Sequence, residues 1–246
     1  MVVARPDRGR GAAARVAALL LCLLAAAPAG AADGGLVEPR LTVVKGGPAA
    51  PRVALTFDAC DGAADQRIIG TLVEHRIPAT FFVTARWIAR NRATLAALAS
   101  HPDLFAIENH GARHLPAIDR EVQVYGLAAA GSPAAVLAEV EGGARAIAAA
   151  TGRSPTWFRG AAALYTTDSL AIVRVAGMKV AGYSLGADGG GVLGADETAR
   201  RLAAAGDGDV VLAHVNHPAR SAGAGVAAGI LALRDQGFRF VGLEDA

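Results

Sequence analysis

Cysteine is scarce: only Cys22 and Cys60 occur in 246 residues. A disulfide-stapled mini-domain or a multi-cysteine zinc module needs at least about four thiols at set spacings, so both are excluded. Charge is sparse as well. Charged residues make up 19% of the chain against 53% hydrophobic, which excludes a disordered charged tail and a coiled coil. The apolar run Val16 to Ala27, VAALLLCLLAAA, is too short to span a bilayer comfortably and has the length of a signal-peptide core. The first candidate strand is followed by Asp58-Ala59-Cys60-Asp61-Gly62-Ala63 rather than the Gly-x-Gly-x-x-Gly turn a dinucleotide-binding sheet needs.

Arg5, Arg8, Arg10 and Arg15 precede that apolar run, and Ala29-Gly30-Ala31 follows it with the small-x-small pattern of a cleavage site. Residues 1–31 are therefore expected to be an export signal cut after Ala31, placing the remainder in the periplasm or outside the cell. A retained anchor is the competing reading; a lipoprotein would need small residues before Cys22, where Leu20 and Leu21 stand. Removing four Arg and one Asp takes the formal net charge from +2 to about −1. A near-neutral mature chain makes no electrostatic case for nucleic acid, whose binding rests on many Lys and Arg contacts to phosphate. No stable membrane anchor is expected after cleavage, and Cys60 is left with no intrachain partner for a disulfide.

Residues 32–51, with several Gly and Pro, read as an extended lead-in to a domain over 52–246. There, β-type runs alternate with Ala/Leu-rich helical stretches, the pattern of parallel strands joined by crossover helices. Seven strands are expected, over 52–58, 79–84, 104–109, 156–159, 179–184, 209–214 and 239–243. Helices are expected at about 66–75, 86–100, 134–151, 167–176, 196–205 and 222–236, with Asp65, Ser132, Thr167 and Asp196 as candidate caps. The fold class is α/β, a distorted or incomplete (β/α) barrel of about seven parallel strands, with a doubly wound sheet as the alternative. The stretch from Leu115 to Gly131 is long for a connection and reads as a functional loop.

Reactive groups of such a barrel gather at the carboxyl ends of its strands. Here those ends carry Asp58, Asn109-His110, Arg159 and His214, with Asp188 four residues past the fifth strand. His110 and His114 are four apart, and one helical turn would bring both imidazoles to one side of a metal ion. Joined by an acidic residue after the first strand, the pair has the composition of a hydrolytic zinc centre.

Leu55-Thr56-Phe57-Asp58, Pro78-Ala79-Thr80-Phe81-Phe82-Val83, Asn109-His110-Gly111-Ala112-Arg113-His114, Trp157-Phe158-Arg159 and Val211-Leu212-Ala213-His214 occur in register. Together they resemble the polysaccharide deacetylases of carbohydrate esterase family four, which include chitin and peptidoglycan N-deacetylases. The resemblance spans nearly all of residues 52–245. It implies a divalent metal, Zn2+ by ligand type, an N-acetylated glycan as substrate, and hydrolysis by water that the metal activates. Asp58 would be the base and His214 the acid that protonates the departing amine. Arg159 would hold Asp58 ionised, and Asp188 would keep His214 protonated.

Several positions depart from that pattern. Ala59 stands where the family has a second aspartate, the third ligand beside His110 and His114, so Asp61 and Asp65 become the candidates for that role. Asp58 itself could also coordinate. The competing readings are an N-cap for Asp65 and a solvated loop carboxylate for Asp61. Cys60 could ligate zinc or act as a nucleophile, although most free cysteines at strand ends are packing residues. The third motif continues as Gly160-Ala161-Ala162-Ala163-Leu164-Tyr165, and Asp188 is followed by three glycines in place of the usual tryptophan. His217 is the runner-up for the acid. Two rival functions remain: a glycan-binding pseudoenzyme of the same fold, and a metal amidase acting on a non-sugar amide.

Overall fold

A strand buried on both faces reads as a near-continuous apolar run, and β1 (Arg52–Ala59) is one, every residue from Val53 onward being buried. The computed structural model describes Met1 and residues 35–245. The expected export signal thus lies outside the described residues apart from Met1. After β1 come α1 (Gln66–Glu74), β2 (Ala79–Val83), α2 (Ala85–Arg90), α3 (Arg92–Ala99) and β3 (Phe105–Asn109). A small hairpin, β4 (Gln123–Val124) and β5 (Leu127–Ala128), precedes α4 (Pro133–Thr151), β6 (Trp157–Phe158), α5 (Thr167–Val175), β7 (Lys179–Val180) and β8 (Leu185–Gly186). The chain closes with α6 (Ala195–Ala203), β9 (Asp209–His214), α7 (Ala222–Asp235) and β10 (Arg239–Val241).

The sheet runs β7-β6-β3-β2-β1-β9-β8, and β10 adds beside the start of β1. All of its pairings are parallel. The seven strands of this path curl into an open half-barrel, the distorted and incomplete (β/α) barrel that the alternating pattern predicts. One expected strand, Lys179–Ser184, is instead divided between the two edges. Ala181 N–H donates to Phe158 O on one edge, and Ser184 N–H donates to Val210 O on the other. The chain crosses the gap at Gly182, where a Cβ would lie 2.0 Å from the Pro39 carbonyl oxygen; only glycine fits so close an approach.

The helix expected over 86–100 is two helices, broken at Asn91. That side chain donates to Trp87 O and Gly62 O and accepts from Ala64 N–H, so it gives up helical continuity to tie down the loop that follows β1. Asp65 and Ser132 cap α1 and α4 through the amides of Arg67 and Ala135. The cap of α5 is Thr166 rather than Thr167, and α6 starts after Gly194, with Asp196 in its first turn. The Leu115–Gly131 segment holds the β4–β5 hairpin, turned at Tyr125 and Gly126, both with positive φ, as a two-residue hairpin turn requires.

Side chains alternate across a strand, and this alternation aims the chemistry. Val53, Leu55, Phe57 and Ala59 join the core beneath the helices, whereas Ala54 joins a second cluster inside the barrel with Phe82, Trp157 and Val210. Thr56 and Asp58 share the parity of Ala54, Arg159 that of Trp157, and His214 that of Val210. All four therefore point into the barrel mouth. Trp87 and Trp157 are core residues, 0% and 6% exposed. Among the described residues, no helix is long and apolar enough to cross a membrane.

Candidate metal centre

Arg159, 0% exposed, enters the mouth from the end of β6. Its Nη1 donates to Asp58 Oδ1 at 3.0 Å and to Thr56 Oγ1 at 2.8 Å. Nη2 donates to Gly182 O at 2.8 Å and Nε to Ala181 O at 3.4 Å, while the guanidinium lies 4.4 Å from the Phe82 ring centre. Burial pushes the Asp58 carboxyl up, but His110, Arg159 and His214 outweigh it and hold it below the ordinary carboxylate value. Asp58 is thus an ionised group with Oδ2 turned toward the cavity, 3.8 Å from His110 Nε2.

His110 follows β3 and is 1% exposed. Its Nδ1 lies 2.6 Å from Arg159 O. A carbonyl only accepts, so Nδ1 carries the hydrogen and Nε2 is the ring nitrogen turned to the cavity, the one through which a metal would be bound. Burial lowers the pKa of this imidazole, but Asp58 and Cys60 outweigh it and raise it to about 8. Nε2 lies 3.5 Å from Cys60 Sγ. His114 stands in the left-handed region at φ 65°, with its ring centre 5.1 Å from that of His110. A carboxylate that sequence reasoning missed fixes this unusual backbone. Glu139 on α4, 1% exposed, accepts the amides of Arg113 at 2.8 Å and Leu115 at 3.0 Å through Oε1. The pair brackets His114.

Across the mouth, Asp188 accepts the backbone N–H of His214 at 2.6 Å and lies 3.0 Å from its Nδ1. Burial lowers the His214 pKa, but Asp188 and Cys60 outweigh it and raise it well above the usual imidazole value. Asp188 is held low by the same partner against its own burial. Burial likewise raises the Cys60 thiol, while His110, His114 and His214 bring it well below the usual thiol range. His217 lies outside this arrangement, its ring centre 6.5 Å from that of His214, with its pKa lowered by burial and then by Arg220.

Asp58, Arg159, His110, His114, Asp188 and His214 thus share one mouth; Asp61 and Asp65 do not join them. Asp61 pairs with Arg86 at 2.9 Å and with Arg90. Asp65 caps α1 and accepts Arg67 Nε at 2.9 Å, both oxygens being engaged by Arg67. Its N-cap geometry consumes the carboxylate locally. In their place the structure sets Cys60: Sγ and the donor nitrogens of His110 and His114 all lie within 4.8 Å of one another. On a tetrahedral zinc ion, bond lengths of about 2.3 Å to sulfur and about 2.0 Å to nitrogen put such atoms about 3.5 Å apart, so the donors suit a divalent ion. Parity held the missed signal: residue 60 follows Asp58 by two and keeps its face, whereas Ala59 turns to the helices.

Tyr165, the last residue of the altered third motif, is 0% exposed and accepts Gly160 N–H through its hydroxyl at 2.7 Å. Burial pushes that hydroxyl above the ordinary tyrosine range.

Residues 45–181 match the family model described as polysaccharide deacetylase. The chain belongs to this family. The matched span contains Asp58, Cys60, His110, His114 and Arg159, while Asp188 and His214 lie beyond it. No curated protein matches this polysaccharide deacetylase, but solved structures do. The peptidoglycan deacetylase PdaC from Bacillus subtilis is 23% identical, with a TM-score of 0.64 over 81% of this chain and 92% of that one. A family 4 carbohydrate esterase from Streptomyces lividans, in complex with acetate, is 22% identical, with a TM-score of 0.61 over 78% and 92%. A CE4 family pseudoenzyme from Bacillus anthracis is 20% identical, with a TM-score of 0.64 over 83% and 67%. These likenesses concern the fold alone, and that fold is shared by a family 4 carbohydrate esterase and a pseudoenzyme alike.

Proposed function

We propose that this polysaccharide deacetylase is an exported, metal-dependent hydrolase that removes acetyl groups from an N-acetylated glycan. The observation that carries the reading is the pairing of two opposed dyads across one cluster of metal-type donors. Asp58 is held ionised by Arg159 on one side, and His214 is held protonated by Asp188 on the other. Dyads whose environments push base and acid apart in pKa are how one site runs both proton transfers. Export rests on the signal-like residues 1–31.

His110 and His114 would hold the ion, which when bound supplies Lewis-acid polarisation and makes water acidic near neutral pH. Asp58 Oδ2 accepts the proton of the attacking water. Arg159 leaves that oxygen free by binding Oδ1, and it orients the carboxylate through Thr56 and the carbonyls of Ala181 and Gly182. His214 donates through Nε2 to the nitrogen that leaves, because an amide nitrogen departs only once protonated. Asp188 receives the Nδ1–H and fixes the ring.

The deciding experiment incubates zinc-loaded protein with N-acetylglucosamine oligomers and, in parallel, with non-sugar amides, measuring acetate or amine release. Acetate from the oligomers is expected. Release from the non-sugar amides alone would make the protein a metal amidase, and no release from either would make it a glycan-binding pseudoenzyme.

Glu139→Ala removes the acceptor of two amides beside His114. An amide left unpaired costs at most about 1–3 kcal/mol, less here because both are only partly buried, and loss of a partner that supports a ligand weakens metal binding about 10- to 100-fold. Glu139→Gln keeps an acceptor oxygen and is expected to recover most of that affinity. Zinc titration calorimetry on the two variants checks this, and equal affinity in Glu139→Ala and wild type would show that His114 is placed by other contacts.

A further inference from the structure

We infer that Cys60 is the third protein ligand of the metal in this deacetylase, giving the site a Cys-His-His donor set in place of the carboxylate that the sequence pattern leads one to expect. The inference rests on the metal-dependent reading above and deepens it. Three observations carry it.

The first is placement: Sγ lies 3.5 Å from His110 Nε2, the separation of two donors on one tetrahedral ion. The second is the orientation of His110. Its Nδ1 is committed to the Arg159 carbonyl, so Nε2 is the ring nitrogen turned toward the thiol and Asp58. The third is the fate of the competitors. Asp61 is taken by Arg86 and Arg90, and Asp65 by Arg67 and the first turn of α1.

The remaining role for Cys60, a small packing residue, does not suit its neighbours. A packing thiol sits among apolar atoms, whereas this sulfur faces two imidazoles. It is a free, buried cysteine among the described residues. A soft thiolate beside two imidazoles favours zinc and cobalt over magnesium and manganese, which take oxygen donors. No electron is transferred on binding: the thiol loses its proton to solvent and the sulfur lone pair forms the bond to the ion.

The test uses the full chain carrying Cys22→Ser, so that Cys60 is the only thiol. The metal-stripped protein is titrated with cobalt(II) and its absorption recorded. One cobalt per chain is expected, with visible bands of tetrahedral strength and a sulfur-to-cobalt charge-transfer band in the near ultraviolet. Adding Cys60→Ser removes the ultraviolet band and weakens cobalt binding by at least about tenfold. Cobalt bound by the Cys60-containing protein without that band overturns the inference and leaves the metal-dependent reading standing. Failure to bind cobalt or zinc at all overturns both. A second measurement needs no variant at position 60: zinc is expected to slow alkylation of the thiol by iodoacetamide by at least about tenfold, and an unchanged rate on zinc-loaded protein would also overturn the assignment.

Discussion

Asp58→Asn is expected to lower the turnover of acetate release by about 10²- to 10⁴-fold, the contribution of a positioned general base, while zinc stays bound. Asparagine matches aspartate in shape, and its carbonyl oxygen still accepts from Arg159, so the mouth keeps its geometry. What disappears is the charge and the capacity to take a proton at the cavity-facing oxygen, 3.8 Å from His110 Nε2. His110→Ala, by contrast, removes a donor nitrogen from the cluster and is expected to lose both metal and activity. The comparison therefore separates proton transfer from metal binding. Steady-state kinetics beside zinc stoichiometry reads both quantities; Asp58→Asn protein with more than about a tenth of wild-type turnover would contradict the base assignment.

Much of this arrangement was legible before any coordinates. The rule that reactive groups gather at the carboxyl ends of barrel strands brings Asp58, His110, Arg159 and His214 to one mouth, although the chain scatters them from residue 58 to residue 214. The less legible parts share a cause. Each depends on a tertiary partner that local pattern does not contain. Asn91 sits in an uninterrupted helical pattern, and only its bonds to Gly62 and Ala64, far back along the chain, break the helix there. The run Lys179–Ser184 reads as one strand in the alternating pattern, yet its two ends pair with opposite edges because the sheet is open and something must span the opening. Asp65 offered a choice between cap and ligand, and the local option won because the Arg67 amide and guanidinium both lie two residues away. Glu139 carries no motif; its importance comes from the backbone of another segment folding onto it.

Arg159→Met is the second large effect, and here it falls on stability as well as rate. The guanidinium and the Asp58 carboxylate are both buried, so removing the cation strands an ionised group away from water. Breaking a buried pair from one side costs about 3–5 kcal/mol. The carbonyls of Ala181 and Gly182 also lose their donors, which adds to the loss on the segment that spans the two sheet edges. The sign of the pH dependence follows from Asp58. Its folded pKa is lowered beneath the ordinary value of 3.8, so its ionised form stabilises the fold above that value and the contribution is lost as the pH falls through the lowered one. Arg159→Met is therefore most destabilised relative to wild type near neutral pH, and the gap narrows in acid. Adding Asp58→Asn to Arg159→Met neutralises the stranded carboxylate and is expected to recover about 0.5–3 kcal/mol, the range of coupling between residues in direct contact, but not the part owed to the two carbonyls. Urea unfolding of the two single variants and the double variant at neutral and acid pH measures these terms. A double variant no more stable than Arg159→Met would mean that the pair is held by the packing around it rather than by its charges.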